Sequence, residues 1–565
     1  ATKDLNCQGS QYLPEESMEF VNKIQEIFDE TEKNGSYEIK ISAIDNPLID
    51  EKVLANLDDG VDLYVEYLKS GVAQKINLDL IKEIKDKIII ESVGGSAYRT
   101  LSRVLKKLDI SDKFTWFDTE EDSFFHSIGK YNHTPKGEKA FYDYSVDATV
   151  VAKKPNGEKF FPVIETMHYD ERLTNLPVGT AVLITDPDHD RLTVTQTESA
   201  NKIPELEKAG IDYVKLNNDL ILTVFTANQA FLMLMDFWSK QLKSQNLWNN
   251  HPRFMIKTTA SAISWDEWAK KQGVKVVNVP VGFKEIANIM KKVELKLKNN
   301  PEKEVIIDDV LGNSINLGVN PRLVFAGEES GGMIMGTEEL IKSQNGRFAI
   351  AMREKSATEA IIVASALIAK LQKEQTTLSQ YLVQIFEENN IVGRFDTRVD
   401  IAYYNESEPD INKLKEEKVL GEAKRTKNDL FYLSMAMGVK KGIMTLEDVK
   451  EILNDSFKSL IFDNLISIKF VGDGTYLEFT DKYIEIRPSG TDAKTKAYGG
   501  GSDKAVLETY ANIMGNYSGD RTELHKKFID DKFYNSTKDE AMKYYLEFVD
   551  KDANNEPFEI PEYKF

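Results

Sequence analysis

The sequence predicts a multi-domain α/β protein, and three observations lead to that prediction. The chain has 565 residues, too many for a single hydrophobic core, so three or four domains are expected. Short apolar, β-branched runs alternate with amphipathic helical patterns, as they do in layered α/β folds. Most of these runs end in polar or glycine-rich residues, and in open parallel sheets that edge is where ligands bind.

The same signals recur along the chain. Residues 87–90 indicate a buried strand, Gly94 and Gly95 a turn, and residues 98–108 a helix with apolar residues three and four apart. Further strands are predicted over residues 181–184, 274–279, 304–307, 323–325 and 483–486. Helices are predicted over residues 15–27, over residues 220–243 and, after a glycine run, in the segment that extends to residue 548.

Composition and charge argue against several classes of protein. Hydrophobic residues make up 41% of the chain and charged residues 29%, an ordinary balance for a soluble globular protein. The net charge of -20 argues against nucleic acid or an anionic membrane as a partner. The single cysteine, Cys7, forms no intramolecular disulfide, and neither a signal peptide nor a membrane-spanning run is evident. A cytoplasmic protein is expected.

A loop that directly follows an apolar strand has the spacing of a metal-binding site. Asp186, Asp188 and Asp190 alternate, so in an extended loop their carboxylates can converge on one hard cation. A calcium-binding EF-hand does not fit, because its sixth and twelfth places hold Arg191 and Thr197 instead of Gly and Glu. A solvated acidic turn is the alternative, but the spacing and the preceding strand favour a metal site.

A second polar loop, Gly-Glu-Glu-Ser-Gly-Gly over residues 327–332, follows the strand predicted at 323–325. The side chains of Glu328 and Ser330 suit the vicinal hydroxyls of a sugar. Taken alone, this loop could equally be a helix N-cap with acidic residues that favour the helix dipole.

A third loop, Arg-Pro-Ser-Gly-Thr, has the chemistry of a phosphate cradle. Arg487 supplies a fork of donors, Ser489 and Thr491 supply hydroxyls, and Gly490 allows backbone N–H groups to approach closely. Lys496 follows and adds positive charge in an acidic chain. A simple Pro-Ser-Gly turn is the alternative, and the basic residues on both sides favour phosphate.

In this order the three loops resemble the metal, sugar and phosphate loops of the α-D-phosphohexomutases, the superfamily of phosphoglucomutase and phosphomannomutase. Residues 282–284 are similar to the family's Gly-Phe-Lys turn, and residues 353–355 to the start of its Arg-Glu-Lys-Asp-Gly segment. The resemblance covers residues 87–498. It implies related α/β domains and a C-terminal α+β domain around a central cleft.

The resemblance also implies a domain order. Residues 1–60 would be an incomplete remnant of the first, serine-bearing α/β domain, and residues 61–219 the second domain with the metal loop. Residues 220–400 would form the third domain with the sugar loop, and residues 401–565 the last domain with the phosphate loop and extra helices. The charged residues 405–418 are expected to be a linker or a surface insertion.

The metal-side roles follow residue by residue from the resemblance. Asp186, Asp188 and Asp190 would bind Mg²⁺, and Arg191 would lie beside the reacting phosphoryl group. Lys355 would be a catalytic proton carrier, although Ser356 stands where the family has aspartate.

The substrate-side roles follow in the same way. Glu328 and Ser330 would hold sugar hydroxyls, and Lys284 would contact the substrate. The residues that would grip the phosphate that does not react are Arg487, Ser489, Gly490, Thr491 and Lys496.

The implied activity moves a phosphoryl group between C1 and C6 of glucose or mannose phosphate through a bisphosphate, with Mg²⁺ and with hexose 1,6-bisphosphate as activator. The expected partner is a small sugar phosphate, not nucleic acid or a membrane, and the protein would be a monomer or a homodimer. A phosphopentomutase is an alternative, because relatives that act on pentose phosphates share the Asp-Pro-Asp form of the metal loop.

The family's nucleophile, a serine in a Thr-Ala-Ser-His-Asn-Pro loop, is not found in this sequence. Residues 42–47 come nearest, with Ile44 in place of the serine, and the match is attributed to chance. Residues 8–16 resemble the segment that follows the serine loop. Either the chain lacks most of the first domain or the nucleophile is lost, so a catalytically incomplete sugar-phosphate-binding protein is the further alternative.

Overall fold

The computed structural model describes residues 10–35, 59–128, 147–153, 159–342, 348–405, 408, 410–489 and 493–549. Helices and strands alternate over most of these ranges, which confirms the predicted multi-domain α/β class. Within them, no helix has the length and apolar character needed to cross a bilayer.

The strands are β1 Ile88–Glu91, β2 Phe114–Trp116, β3 Ala152–Lys153, β4 Lys159–Phe160, β5 Ala181–Thr185, β6 Leu192–Ser199, β7 Asp212–Lys215, β8 Leu220–Phe225, β9 Arg253–Thr258, β10 Lys275–Val279, β11 Glu304–Asp308, β12 Ser314–Val319, β13 Arg322–Gly327, β14 Met333–Met335, β15 Ile341–Lys342, β16 Phe348–Ala349, β17 Phe395–Ala402, β18 Leu465–Phe470, β19 Thr475–Phe479, β20 Lys482–Pro488 and β21 Lys494–Gly501.

The α-helices are α1 Pro14–Asn34, α2 Asp59–Ser70, α3 Lys75–Lys82, α4 Ala97–Lys107, α5 Pro162–Thr166, α6 Tyr169–Arg172, α7 Ile203–Ala209, α8 Ala227–Ser244, α9 Ile263–Gln272, α10 Phe283–Asn299, α11 Ala357–Glu374, α12 Leu378–Glu388, α13 Ile411–Lys440, α14 Leu446–Ser456, α15 Lys504–Gly515, α16 Glu523–Phe528 and α17 Asp531–Val549.

Three sheets position the loops that carry chemistry. The first has the strand order β2-β1-β5-β6-β8-β7, with β2, β1 and β5 parallel and the rest antiparallel. The second has the order β10-β9-β13-β14, parallel except for β14. Strands β1 and β5 are buried along their whole length, as expected for parallel strands covered on both faces. The metal loop follows β5 and the sugar loop follows β13.

The third sheet, β17-β21-β20-β19-β18, is antiparallel. One of its faces packs into an apolar core with side chains from α13, α14 and α15. The other face carries Tyr483, whose hydroxyl donates to the Ala260 carbonyl at 2.7 Å, just beyond β9. The face of the last sheet that carries Tyr483, called here its polar face, therefore packs toward the second sheet.

The long helix predicted over residues 220–243 is wrong in its first part. Residues 220–225 are strand β8, which pairs with β6, and the helix begins only at Ala227. Thr226 and Gln229 form a capping box that starts the helix at that point. Strand β8 is apolar at nearly every position because it lies inside the sheet, which made it hard to distinguish from a buried helix. The first sheet thus extends beyond residue 219, the predicted domain boundary.

The segment 405–418, predicted to be a linker or a surface insertion, is helical from Ile411 onward. Helix α13 begins at Ile411, and the Asp410 side chain caps it by accepting from the backbone N–H groups of Asn412 and Lys413. The first turns of this helix are highly charged because they lie in solvent, and a charged run without apolar spacing is easily taken for a linker.

Candidate functional site

The metal loop connects β5 to β6 and is closed on itself. The Asp186 carboxylate accepts from the backbone N–H groups of Asp190 and Arg191, each at 3.0 Å. This turn gathers the side chains of Asp186, Asp188 and Asp190, whose nearest carboxylate oxygens lie within 4.8 Å of one another. The structure therefore brings the three predicted metal ligands together.

The electrostatics of this loop favour a bound cation. Burial, followed by the charges of Asp190 and Asp188, raises the pKa of Asp186 to about 7. A divalent cation would relieve this repulsion, and three carboxylates are the hard oxygen donors that Mg²⁺ prefers. The donor set fits the ion that the sequence implies.

His189 lies between two of these aspartates in the sequence, and from this position alone its side chain would be expected to face solvent. The structure instead turns it toward α11, where its Nε2 lies 2.9 Å from the Thr358 hydroxyl. Its backbone has a φ of 59°, the left-handed region, which lets the side chain leave the ligand side of the loop. Burial lowers its pKa to about 4, so the ring is neutral near pH 7.

The sugar loop connects β13 to β14 and contacts the metal loop directly. The backbone N–H of Leu192 donates to the Gly331 carbonyl at 3.1 Å. Glu328 is buried and its carboxylate accepts from the Lys355 ammonium at 2.7 Å, while the same ammonium lies 3.8 Å from Asp190. Lys355 thus joins the two loops.

Gly332 is required by this arrangement. A Cβ atom at this position would lie 2.3 Å from Cδ of Lys355 and 2.9 Å from a carboxylate oxygen of Glu328. A larger side chain could not fit here while Lys355 takes this path. The glycine is therefore a condition for the Glu328–Lys355 ion pair in this arrangement.

Arg191 lies between the same acidic groups. Its Nε is 3.6 Å from a carboxylate oxygen of Asp186 and 3.6 Å from one of Asp190. Burial acts to lower its pKa, but Glu328 and the aspartates raise it above its usual value. The guanidinium is therefore held charged at the junction of the metal and sugar loops.

Glu329, next to Glu328, is directed to the other side of the sugar loop. Its carboxylate accepts from the Thr258 hydroxyl at 2.8 Å, because β9 and β13 are parallel neighbours that end at the same edge. Its charge also acts on the last sheet. Burial lowers the pKa of Arg398, and Asp400, Tyr498 and Glu329 together raise it above its usual value. Two neighbouring residues of the sugar loop therefore interact in opposite directions: Glu328 with the metal-loop side and Glu329 with the charges of the last sheet.

Three basic side chains, called here the basic cluster, share the polar face of the last sheet: Arg398, Arg487 and Lys496. Lys496 of β21 is paired in register with Arg487 of β20 and with Asp400 of β17. Arg398 lies two residues before Asp400 on β17 and therefore on the same face of the sheet. Burial lowers the pKa of Lys496, and the charges of Arg398 and Arg487 lower it further. Such crowded positive charge favours an anionic ligand.

Arg487 is held in place by an aspartate that the sequence did not reveal. Its Nε and one terminal nitrogen donate to the two carboxylate oxygens of Asp473, at 3.1 and 2.5 Å. Ser489 is buried, and its carbonyl accepts from Arg425 of α13 at 2.8 Å. The predicted phosphate residues Gly490 and Thr491 lie outside the described residues.

The turn before Lys284 lies beside this part of the last domain. Gly472, in the turn that carries Asp473, is so close to Pro280 that an added Cβ would lie 2.6 Å from its ring. Gly282 has a φ of 125° and starts helix α10, whose second residue is Lys284. Lys284 therefore lies in the first turn of a helix that begins beside the turn of Gly472 and Asp473.

The turn after β1 lies against the metal loop, and no sequence motif indicates that it belongs to the candidate site. The turn after β1 packs on the metal loop, because β1 and β5 are parallel neighbours: a Cβ on Gly95 would lie 2.4 Å from Cα of Pro187. A cavity of about 540 Å³ between them is also lined by Asp122 and Asp147, and Asp147 adds to the charges that raise the pKa of Arg191. Neither aspartate lies in a recognisable motif, so no sequence signal identifies them.

Behind Arg487, a fully buried carboxyl group titrates near neutral pH. Burial raises the pKa of Glu485 to about 8; Thr259 and Arg487 act in the opposite direction, while Asp473 and Glu329 add to the increase. The protonated carboxyl group of the folded protein therefore makes the free energy of unfolding depend on pH. Its contribution to stability is fully present below the ordinary pKa of 4.5, which applies to the unfolded chain, and is lost as the pH rises through the folded-state pKa of about 8.

We therefore expect the free energy of unfolding of the wild type to fall relative to that of Glu485→Gln as the pH rises from about 5 to about 9. The slope should be at most about 1.4 kcal/mol per pH unit, since the glutamine cannot titrate. Urea unfolding of both proteins at several pH values measures it. A difference that does not change with pH would contradict the buried protonated state.

The comparison with protein families gives one match. Residues 228–388 match the family described as phosphoglucomutase/phosphomannomutase, alpha/beta/alpha domain III. This range lies inside the predicted third domain and includes the sugar loop, residues 282–284 and Lys355. No curated protein matched the chain.

Solved structures of mutases are similar at low identity. They include a phosphoglucomutase/phosphomannomutase family protein from Burkholderia thailandensis, with 13% identity, a TM-score of 0.38, and coverage of 82% of this chain and 68% of that one. For the Paramecium phosphoglucomutase pp63/parafusin the values are 13%, 0.42, 81% and 61%. For the Aspergillus fumigatus N-acetylphosphoglucosamine mutase in complex with GlcNAc-6P and magnesium they are 10%, 0.39, 79% and 65%.

The chain thus spans between 61% and 68% of the length of these three structures. The match to domain III supports the resemblance found in the sequence for this part of the chain: residues 228–388 are similar to domain III of the phosphoglucomutase/phosphomannomutase family.

Proposed function

We propose that the protein binds one hexose phosphate between the metal loop and the basic cluster and acts as a phosphosugar mutase between C1 and C6 of glucose or mannose phosphate. The observation that supports this most strongly is the sugar loop. Glu328 interacts with Lys355 and Arg191 on the metal side, and Glu329 acts on Arg398 and Lys496 on the other side. A small anion with two ends fits between them.

On the metal side, Asp186, Asp188 and Asp190 would hold Mg²⁺. The bound ion would neutralise charge on the oxygens of the phosphoryl group that is transferred. Arg191, held beside Asp186 and Asp190, would add a second positive charge at the same place. Phosphoryl transfer depends mainly on such positioning and charge neutralisation.

Glu328 and Lys355 would act on the sugar hydroxyls as a charged pair. Burial acts to raise the pKa of Glu328, but Lys355 and Arg191 bring it below its usual value. Burial acts to lower the pKa of Lys355, but Glu328 and Asp190 raise it above its usual value. In this state the carboxylate accepts a hydroxyl proton in a hydrogen bond, and the ammonium can donate a proton. Ser330 and Lys284 would complete the sugar contacts.

At the other end, Arg487, Ser489 and Lys496 would grip the phosphate that is not reacting, together with the predicted Gly490 and Thr491. A grip of this kind that accepts either phosphate suits a bisphosphate that turns over between two steps. Hexose 1,6-bisphosphate would accordingly be the activator.

The sequence contains no serine followed by His-Asn-Pro. Whether any residue of the protein takes up a phosphoryl group therefore has to be tested separately. The protein is incubated with glucose 1,6-bisphosphate and Mg²⁺, and its intact mass is measured. A stable gain of one phosphate supports the mutase. Binding of glucose 6-phosphate without any gain in mass supports a catalytically incomplete binding protein. Absence of both removes the proposal, and a parallel titration with ribose 5-phosphate tests the phosphopentomutase alternative.

The metal assignment predicts the behaviour of Asp188→Ala. Removing one of three ligands should weaken Mg²⁺ binding by at least about tenfold, since even outer-shell changes cost this much. Folding should be nearly unchanged, because Asp188 is only half-buried and lies in a loop. Calorimetric titration and thermal unfolding measure the two effects. The matched control is Asp170→Ala, an exposed aspartate elsewhere in the same domain; equal Mg²⁺ affinity in both variants would remove the assignment.

A further inference from the structure

Helix α17 near the C-terminus is fixed to the last domain along one side. Ala541 packs against Leu433 and Met437 of α13. The Lys440 ammonium lies 4.2 Å from the centre of the Tyr544 ring, and Lys441 forms an ion pair with Glu540. These contacts anchor α17 on α13, which also packs on the last sheet.

The other side of α17 contacts the domain that carries the sugar loop. The Tyr545 hydroxyl donates to the Glu285 carboxylate at 2.6 Å, and these residues are 5% and 2% exposed. The Lys292 ammonium donates to the carbonyl of Phe548, whose ring packs against the core of the second sheet. One helix therefore bridges the last domain and helix α10.

Both contact regions adjoin residues assigned to the sugar phosphate. Glu285 directly follows Lys284 in the first turn of α10. Phe470 packs against both apolar clusters that α17 forms, and it leads into the turn of Gly472 and Asp473. Asp473 holds Arg487 by two hydrogen bonds. Yet no residue of α17 contributes a group to the cavity lined by the metal loop.

We propose that α17, through the Tyr545–Glu285 hydrogen bond and its packing on Phe470, positions Lys284 and the Asp473–Arg487 pair for sugar-phosphate binding. Tyr545 is then a positioning residue that acts through Lys284. The identity of the ligand in this inference rests on the proposed function. The effect of α17 on the position of Lys284 and of the Asp473–Arg487 pair does not. Burial makes the hydrogen bond specific, because a displaced Tyr545 would leave the Glu285 carboxyl without this donor in a buried place.

The first test is Tyr545→Phe, which removes one hydroxyl and keeps the ring. The affinity for glucose 6-phosphate should fall about three- to tenfold, the effect of losing one hydrogen bond. The matched control is Tyr544→Phe, which removes a hydroxyl from the neighbouring tyrosine on the side of the helix that faces α13; its affinity should equal that of the wild type. When Lys284→Met is also present, Tyr545→Phe should have little further effect on the affinity, because both changes act on the contact between Lys284 and the sugar phosphate.

The second test is independent of any sugar. Hydrogen exchange of the ligand-free protein should become at least about threefold faster at residues 282–286 in Tyr545→Phe, and should not change in helix α14, which is remote. Unchanged exchange at residues 282–286 overturns the proposal. Faster exchange with unchanged glucose 6-phosphate affinity also overturns it, because α17 would then have only a structural role.

The two proposals can fail separately. If the wild type does not bind glucose 6-phosphate, the proposed function fails, while the exchange measurement still decides whether Tyr545 holds the turn before Lys284. If the wild type binds and both Tyr545→Phe measurements are unchanged, the proposed function stands and the positioning role is removed.

Discussion

Replacing Arg487 with alanine is expected to weaken the binding of glucose 6-phosphate by about 1.5–3 kcal/mol, the range for hydrogen bonds to charged groups. The guanidinium is already oriented by Asp473 and has little freedom to lose on binding. Its removal leaves Asp473, which is half exposed, so the free energy of unfolding should change by at most about 1 kcal/mol. Calorimetric titration with glucose 6-phosphate measures the affinity.

The matched control is Arg172→Ala. Arg172 is also paired with an aspartate, Asp118, at 3.0 Å, but it lies in the second domain away from the basic cluster. Its removal should leave the affinity unchanged. If Arg487→Ala binds glucose 6-phosphate as tightly as Arg172→Ala does, the phosphate assignment is wrong.

Replacing Glu328 with alanine should have the largest effect on stability. Lys355 would lose the carboxylate 2.7 Å from its ammonium while its side chain remains only 8% exposed. An uncompensated buried charge costs about 3–5 kcal/mol, and the more distant Asp190 at 3.8 Å places the expected loss near the lower end of this range. Urea unfolding measures the loss.

The double variant Glu328→Ala, Lys355→Met serves as the control. It removes both charges and fills part of the space, so it should recover most of the stability that Glu328→Ala loses. A loss of less than about 1 kcal/mol in Glu328→Ala, or no recovery in the double variant, would show that the pair is not a buried, coupled unit.

The parts of the site that could be predicted are those written in short runs of sequence. Asp186, Asp188 and Asp190 lie within one loop after a strand, so their convergence depends only on local backbone geometry. The same holds for Glu328 and Ser330. Their assigned roles in binding and catalysis stay predictions until the variants are measured.

The parts that could not be predicted come from contacts between separate elements. Asp473 reaches Arg487 of β20 from the turn before β19, and Arg425 reaches Ser489 from helix α13. Asp473 lies between two glycines of a turn and Arg425 in a charged helix, so nothing in the local pattern separates either residue from a solvated side chain. The pairing of the strands and the packing of α13 on the sheet decide these contacts, and neither is local.

The two errors in the fold have different physical reasons. Strand β8 resembles the start of a helix in sequence because a strand buried on both faces has no alternation of polar and apolar residues. The start of α13 resembles a linker because most of its first residues are charged and exposed and show no apolar spacing. The boundaries of the four domains stay predictions.

We propose that the metal loop and the basic cluster hold opposite ends of one small anion. The decisive measurement is a titration of glucose 1,6-bisphosphate into the Mg²⁺-loaded protein. One ligand per chain is expected, with an affinity that falls when Mg²⁺ is removed and falls again in Arg487→Ala. Two independent ligands per chain, or an affinity that responds to Arg487→Ala but not to Mg²⁺, would contradict it.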